Sequence, residues 1–218
     1  MKAHRTIGLL RSGRPVTLAA LGDSLTRGWM VRKGYLDYLA EMLRWEYPAC
    51  NLRVVNEGLP GDTADCGLYR LETDILDVKP DCVLVQYAIN DASLGFTTGQ
   101  FRRTIRGIIE KIRRAGEAEI VLVTSSFIGD NRENGIVEEY YKMLADLGAE
   151  EGLPVAPVHE HWKRKVEEGV SWRSLVQFDF VHPTTEGYRY MAEAVMEIFR
   201  EDTAEALPDS GTPGREAR

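Results

Sequence analysis

Short apolar-rich runs alternating with amphipathic stretches restrict this chain to an α/β fold built on a parallel sheet. Residues 16–21 are apolar apart from Thr17, and residues 52–55, 82–87 and 120–123 form three further runs. Residues 153–158 form a weaker fifth run, in which Pro154 and Pro157 remove ladder donors and mark an edge strand. Runs that stay apolar from one position to the next, instead of alternating, suit strands covered on both faces. Between them, Leu36, Leu39, Met42 and Leu43 share one helical face. Phe101, Ile105, Ile108, Ile109 and Ile112 share another, as do Ile136, Val137, Tyr140, Leu144 and Leu147. Tyr188, Met191, Ala192, Val195, Ile198 and Phe199 close the series. Strand–helix alternation implies right-handed crossovers with helices on both sides of the sheet. Ligands in such folds bind beyond the carboxyl ends of the strands.

Composition supports one domain over residues 1–201, since 218 residues at 44% hydrophobic can bury a sizeable core. Residues 202–218 lose all periodicity and are rich in Pro, Gly and charge, which predicts a disordered tail. The net charge of −7 and a pI near 5.3 disfavour nucleic acid as a partner. The local cluster Arg102, Arg103, Arg106, Lys111, Arg113 and Arg114 falls on an amphipathic segment and reads as a solvated face. Three scattered cysteines, Cys50, Cys66 and Cys82, do not form a disulfide framework or a zinc spacing; Cys82 reads as a small buried residue and Cys66 as helix packing. The apolar stretch at residues 7–10 is too short for a signal-peptide core, and no run has membrane-spanning length, so the expectation is a soluble cytoplasmic protein without an integral membrane segment.

The strand ends carry the residues of chemical interest. The first runs into Gly22-Asp23-Ser24-Leu25-Thr26. A short helix starting there would aim the Ser24 N–H into the site, where it could stabilise an oxyanion; an Asp-Ser helix cap reads equally well. The second ends in Asn56-Glu57-Gly58-Leu59-Pro60-Gly61-Asp62-Thr63, where Gly58 could offer an unobstructed N–H, or the whole could be a turn. The third ends in Ala88-Ile89-Asn90-Asp91; the Asn90 amide could donate to an oxyanion or close an Asx turn. The last segment, Phe178-Asp179-Phe180-Val181-His182-Pro183, sets a carboxylate three residues from an imidazole. Asp179 could hold one ring nitrogen of His182 and leave the other to take a serine proton, unless Asp179 or Thr184 merely caps the next helix. His159 and His161, with His182 and Asp179, could instead serve as metal ligands, although their spacing supplies no complete set.

Taken in order, these four segments resemble the blocks of the GDSL/SGNH hydrolase family. Ser24 lies in Gly-Asp-Ser-Leu, Gly58 in Asn-x-Gly-x-x-Gly-x-Thr, Asn90 before an Asp, and His182 in Asp-x-x-His-Pro. The resemblance runs from about Val16 to Phe199, with one departure: the third block usually begins with Gly, and here it begins with Ala88. It implies a three-layer α/β/α sandwich with a flavodoxin-like, five-stranded parallel sheet. It also implies Ser24 as nucleophile, His182 as base and Asp179 as its orienter, with the oxyanion on the N–H groups of Ser24 and Gly58 and the amide of Asn90. Asp23 and Asp91 are expected to support the site through local hydrogen bonds. No metal or organic cofactor is implied. The expected partner is a small ester, with a short acyl group such as acetyl, on carbohydrate for example; the alternatives are lysophospholipids or thioesters of longer acyl chains, or a non-catalytic or metal-dependent member of the same fold. Phe127 and Trp172 are expected to line the mouth of the site.

Overall fold

The structure, a computed structural model, describes residues 1–126, 128 and 131–201, and of residues 131–133 only the backbone. The expected tail at 202–218 and Phe127 lie outside the described residues.

Five parallel strands form one sheet: β1 (Pro15–Gly22), β2 (Asn51–Gly58), β3 (Cys82–Gln86), β4 (Glu119–Val123) and β5 (Val155–Ala156), in the order β2-β1-β3-β4-β5. The two-residue β5 sits at the edge, where Pro154 and Pro157 break no ladder on its open side. The helices in chain order are α1 (His4–Ser12), α2 (Ser24–Arg27), α3 (Tyr35–Glu46), α4 (Ala64–Asp74), α5 (Ile89–Ser93), α6 (Thr98–Ala115), α7 (Asn131–Glu151), α8 (Val158–Glu167), α9 (Trp172–Leu175) and α10 (Thr185–Phe199). Helices α1, α3 and α8 pack around α10 on one face, and α4, α6 and α7 pack together on the other. The result is the three-layer α/β/α sandwich that the strand–helix alternation predicts. The central strands β1, β3 and β4 are almost wholly buried, which is why their sequences are apolar without alternation.

Two details of the helices differ from the periodicity. Helix α7 already begins at Asn131, five residues before the first periodic position, Ile136. Its buried stripe runs through Val137, Tyr140, Tyr141, Leu144 and Leu147, so Ile136 falls on the edge of the stripe and is 45% exposed. The basic cluster on α6 faces outward as expected; Arg106 and Arg113 pair with Glu150 and Glu151 of α7, and Lys111 with Glu72. Cys82 is fully buried, whereas Cys66 is exposed on α4 and packs against nothing in the core. Among the described residues, no helix is long and apolar enough to cross a membrane.

The register positions the site. Gly22 pairs with Gly58 on one side and with Gln86 on the other, and Gln86 pairs with Val123. The four strands therefore end in one row, and the segments that follow them project beyond the same sheet edge.

Candidate active site

Ser24 opens α2 directly after β1. Asp23 caps this helix by accepting the Leu25 N–H at 2.8 Å. The first residue of a helix has no intrahelical partner for its N–H, so the Ser24 amide is left pointing outward from the helix start. The turn is tight: a Cβ on Gly22 would sit 2.2 Å from Thr26 Oγ1 and 2.7 Å from the Gln86 carbonyl oxygen. Beneath Ser24, Gln86 spans a buried polar chain. Its amide donates to Ser125 Oγ (2.6 Å) and Asp23 Oδ2 (3.3 Å), and its carbonyl accepts from Thr26 Oγ1 (2.7 Å). Burial pushes the Asp23 carboxyl up to about 7, against the pull of the Leu25 N–H.

The segment before α10 folds back on itself. Val176 bridges to Pro183, the Gln177 N–H donates to the His182 carbonyl, and the Thr184 N–H to the Leu175 carbonyl. Inside this closed loop, Asp179 Oδ1 accepts the N–H groups of Val181 and His182, each at 3.0 Å. Phe180 makes the turn possible by adopting φ +62°. Asp179 Oδ2 then lies 2.7 Å from His182 Nδ1, and His182 Nε2 lies 2.8 Å from Ser24 Oγ. Burial raises the Asp179 carboxyl, but the two backbone N–H groups and the imidazole outweigh it and hold the group below its ordinary value. The Gln177 side chain donates to the Trp29 and Pro183 carbonyls, tying this loop to the exit of α2. The structure thus brings Ser24, His182 and Asp179, drawn from opposite ends of the chain, into one hydrogen-bonded line.

Gly58 does not stand where the second block places an oxyanion donor. Its N–H is taken by Asn56 Oδ1 at 3.0 Å, and it does not line the cavity beside Ser24. It is a glycine for a different reason: a Cβ there would lie 2.2 Å from the Arg27 nitrogen, so the backbone of α2 crosses directly over it. The glycine that lines the cavity together with Ser24 is Gly61, three positions on, with φ +78° and open space where a Cβ would be. Among the described residues the Gly61 N–H has no hydrogen-bond acceptor. Its signal in the sequence was the second glycine of the same block. Asn90, on α5, also lines this cavity; its Nδ2 donates one hydrogen to the Asp62 carbonyl at 2.8 Å and keeps the second.

The two expected supporting acids differ. Asp23 acts locally, as described. Asp91 accepts the Ala64 N–H (3.1 Å) at the start of α4, a contact across 27 residues of sequence, so it joins α5 to α4 besides bonding to its own backbone N–H. Burial pushes its carboxyl up to about 6. Ala88, the departure from the third block, caps α5 with φ 144° and is fully buried. An L-residue seldom adopts that backbone, which explains why glycine suits the position. Trp172, expected at the mouth, is not among the residues lining the cavity and stacks on Phe180 (centroids 6.1 Å, interplanar angle 14°). Trp29, which carried no signal, does line it, with its ring 6.0 Å from that of His182. His159 and His161 lie on α8, next to Glu138 (3.0 Å) and Glu193 (3.4 Å), and do not join the residues around Ser24.

The cavity beside Ser24 measures about 260 Å³ and shares Ile89 and Val181 with a second, apolar cavity of about 270 Å³, walled also by Ala92, Ile128, Ile136 and Val137. A serine hydroxyl against an imidazole, with unused N–H groups opposite, can attack a carbonyl and hold the charge that develops on its oxygen.

Comparison with known proteins adds to this geometry. The GDSL-like Lipase/Acylhydrolase family matches residues 20–190. The chain is 24% identical to an acetylxylan esterase of Geobacillus stearothermophilus, over 86% of this chain and 95% of that protein. It is 27% identical to thioesterase 1/protease 1/lysophospholipase L1 of Escherichia coli, over 84% and 83%. The solved structure of Axe2, an acetylxylan esterase from Geobacillus stearothermophilus, has the same fold, with a TM-score of 0.75 over 86% of this chain and 95% of the other at 23% identity.

Proposed function

The chain belongs to the GDSL-like lipase/acylhydrolase family, and on that premise we propose that it hydrolyses carboxylic esters by a serine mechanism, with short acyl groups as its substrates. The observation that carries this reading is the line Ser24 Oγ–His182 Nε2–Asp179 Oδ2, at 2.8 Å and 2.7 Å with the ring between them. Ser24 Oγ attacks the acyl carbonyl as His182 Nε2 takes its proton. Asp179 accepts the Nδ1–H, which fixes the tautomer and stabilises the imidazolium. The same proton then passes from Nε2 to the departing alcohol, and water repeats the sequence to release the acid. The developing oxyanion rests on the N–H groups of Ser24 and Gly61 and the free Nδ2 hydrogen of Asn90. Each such donor contributes about 3 kcal/mol to the transition state.

A cavity of about 260 Å³ supports a small acyl group. The likeness to an acetylxylan esterase supports acetyl groups on carbohydrate. A second reading, longer acyl chains, is favoured by one observation: the adjoining apolar cavity walled by Ile128, Ile136 and Val137, which could take a chain leading away from Ser24. Assay against p-nitrophenyl esters of two to twelve carbons separates the two. The first reading expects a rate that peaks at acetyl or propionyl, the second a rate that rises toward octanoyl and falls in Ile136→Glu. In either case Ser24→Ala abolishes turnover and a chelator leaves it unchanged. Cleavage that survives Ser24→Ala would refute the serine mechanism.

A further inference from the structure

Among the described residues, a cation held deep behind the strand ends, Arg70, is not in the sequence blocks at all. Arg70 projects from the last turn but one of α4 with its side chain only 11% exposed. Its Nε and Nη2 both donate to Asp62 Oδ2 (2.9 and 2.7 Å), and its Nη1 to Asp74 Oδ2 (3.0 Å). Nη2 also reaches the carbonyls of Gly22 (3.1 Å) and Glu57 (2.7 Å), and the Tyr87 hydroxyl, which itself donates to Asp62 Oδ2 at 2.8 Å. A single guanidinium therefore gathers the ends of β1 and β2 and the loop after β2.

That loop carries Gly61, and it is short of other anchors. Its remaining backbone ties are Leu59 N–H to the Gly22 carbonyl (3.0 Å) and Asp62 N–H to the Leu59 carbonyl (3.1 Å). Asp62 is the hinge of the arrangement. Its carboxylate, 7% exposed, is gripped by Arg70, and its own carbonyl accepts the one Nδ2 hydrogen of Asn90 that does not face the cavity. We infer that Arg70 is a positioning residue for the oxyanion hole, acting through Asp62 to fix both the Gly61 N–H and the Asn90 amide. The inference rests on the serine-hydrolase reading above. A buried ion pair of this kind gives little net stability over an apolar replacement, so its main effect is geometric. Lysine retains the charge but, as a point donor, cannot reach Asp62, Asp74 and two carbonyls together.

The test is a double-substitution cycle on the full chain with p-nitrophenyl acetate, using Ser24→Ala, Arg70→Lys, Asn90→Ala and the Arg70→Lys/Asn90→Ala pair. Arg70→Lys is expected to lower kcat by about tenfold to a hundredfold, less than the roughly 10²–10³-fold loss of a whole donor, with KM little changed. The pH dependence of kcat/KM keeps its shape, because His182 and Asp179 are untouched. In the Asn90→Ala background the same substitution is expected to cost severalfold less than in the wild type but not nothing, since one of the two donors it positions is gone and the Gly61 N–H remains. Equal losses in both backgrounds, a loss carried by KM, or full kcat in a folded Arg70→Lys protein would each overturn the inference. If circular dichroism shows Arg70→Lys unfolded, Tyr87→Phe takes its place in the cycle. It removes the hydroxyl shared by Asp62 and Arg70, and is expected to lower kcat severalfold alone and by less beside Asn90→Ala; full kcat overturns the inference. Activity that persists in Ser24→Ala overturns the underlying reading and this inference with it, whereas a Ser24-dependent enzyme indifferent to Arg70 overturns this inference alone.

Discussion

Ala88→Gly is expected to be far cheaper than a buried Ala→Gly change elsewhere in the same protein. Ala88 holds φ 144° and ψ −42° at the start of α5, two residues before Asn90, and is fully buried. A non-glycine residue in so sparsely populated a region stores about 1–3 kcal/mol. Glycine releases that strain. Against it stand the loss of one buried methyl, about 0.8 kcal/mol, and the greater freedom of the unfolded chain, about 0.4–1 kcal/mol. The net effect lies between about 0.8 kcal/mol of destabilisation and about 1.8 kcal/mol of stabilisation. Ala192, fully buried within α10, is the control. There glycine relieves nothing and costs about 1.5–2 kcal/mol from helix propensity and the lost methyl. In a chain of this size 1 kcal/mol moves Tm by about 2–4 °C, so thermal unfolding of the two variants beside the wild type resolves the difference. Equal losses at both positions would show that Ala88 is unstrained, and the account of why glycine suits that position would fall.

Three further outcomes follow from the same geometry. Asp23 is a buried carboxyl raised to about 7 in the folded protein, so its stabilising contribution is present below the unfolded value near 4 and is lost as pH rises through 7. Asp23→Asn, which sets an amide against Gln86 at a pH-independent cost, is expected to flatten that fall, by up to about 4 kcal/mol between pH 4 and 8 in urea titrations; identical slopes would contradict the burial argument. Gly61→Ala forces a side chain onto a backbone at φ +78°. It is expected to cost about 1–2 kcal/mol of stability and, as the peptide tilts, at least about tenfold in kcat with KM little altered; Gly61→Ala at full kcat would remove Gly61 from the oxyanion hole. Gly22→Ala places a methyl 2.7 Å from the Gln86 carbonyl oxygen and 2.2 Å from Thr26 Oγ1. The turn carrying Ser24 must shift, with a loss of about 1–3 kcal/mol measured by thermal unfolding; a Tm within a degree of the wild type would show the turn to be looser than its contacts imply.

The helix-cap readings of the sequence motifs proved compatible with the chemical ones instead of competing with them. Asp23 does cap α2, and Thr184 does cap α10 by accepting the Gly187 N–H, while Ser24 and His182 still meet. A cap uses one oxygen against the local backbone and leaves the neighbouring side chain free, so one short segment can do both. Gly58 was the opposite case. Two glycines in one turn look alike in sequence, and only the path of α2 over one and the open cavity at the other distinguish them.

What the sequence determined by itself was periodic or local. Continuous apolar runs dictated buried parallel strands, three- and four-residue spacing dictated the helices that cover them, and an Asp three residues before a His could close on itself within a single loop. What the tertiary structure alone decided joins residues far apart in the chain. Asp91 meets the start of α4, Trp29 comes to stand beside His182, and Arg70 binds two strand ends and a loop at once. No pattern marks such residues in advance, because a lone arginine or tryptophan has no period to betray it. Its role is set by which carbonyls and carboxylates the register of the sheet delivers to its side chain, and that register exists only once the strands have paired.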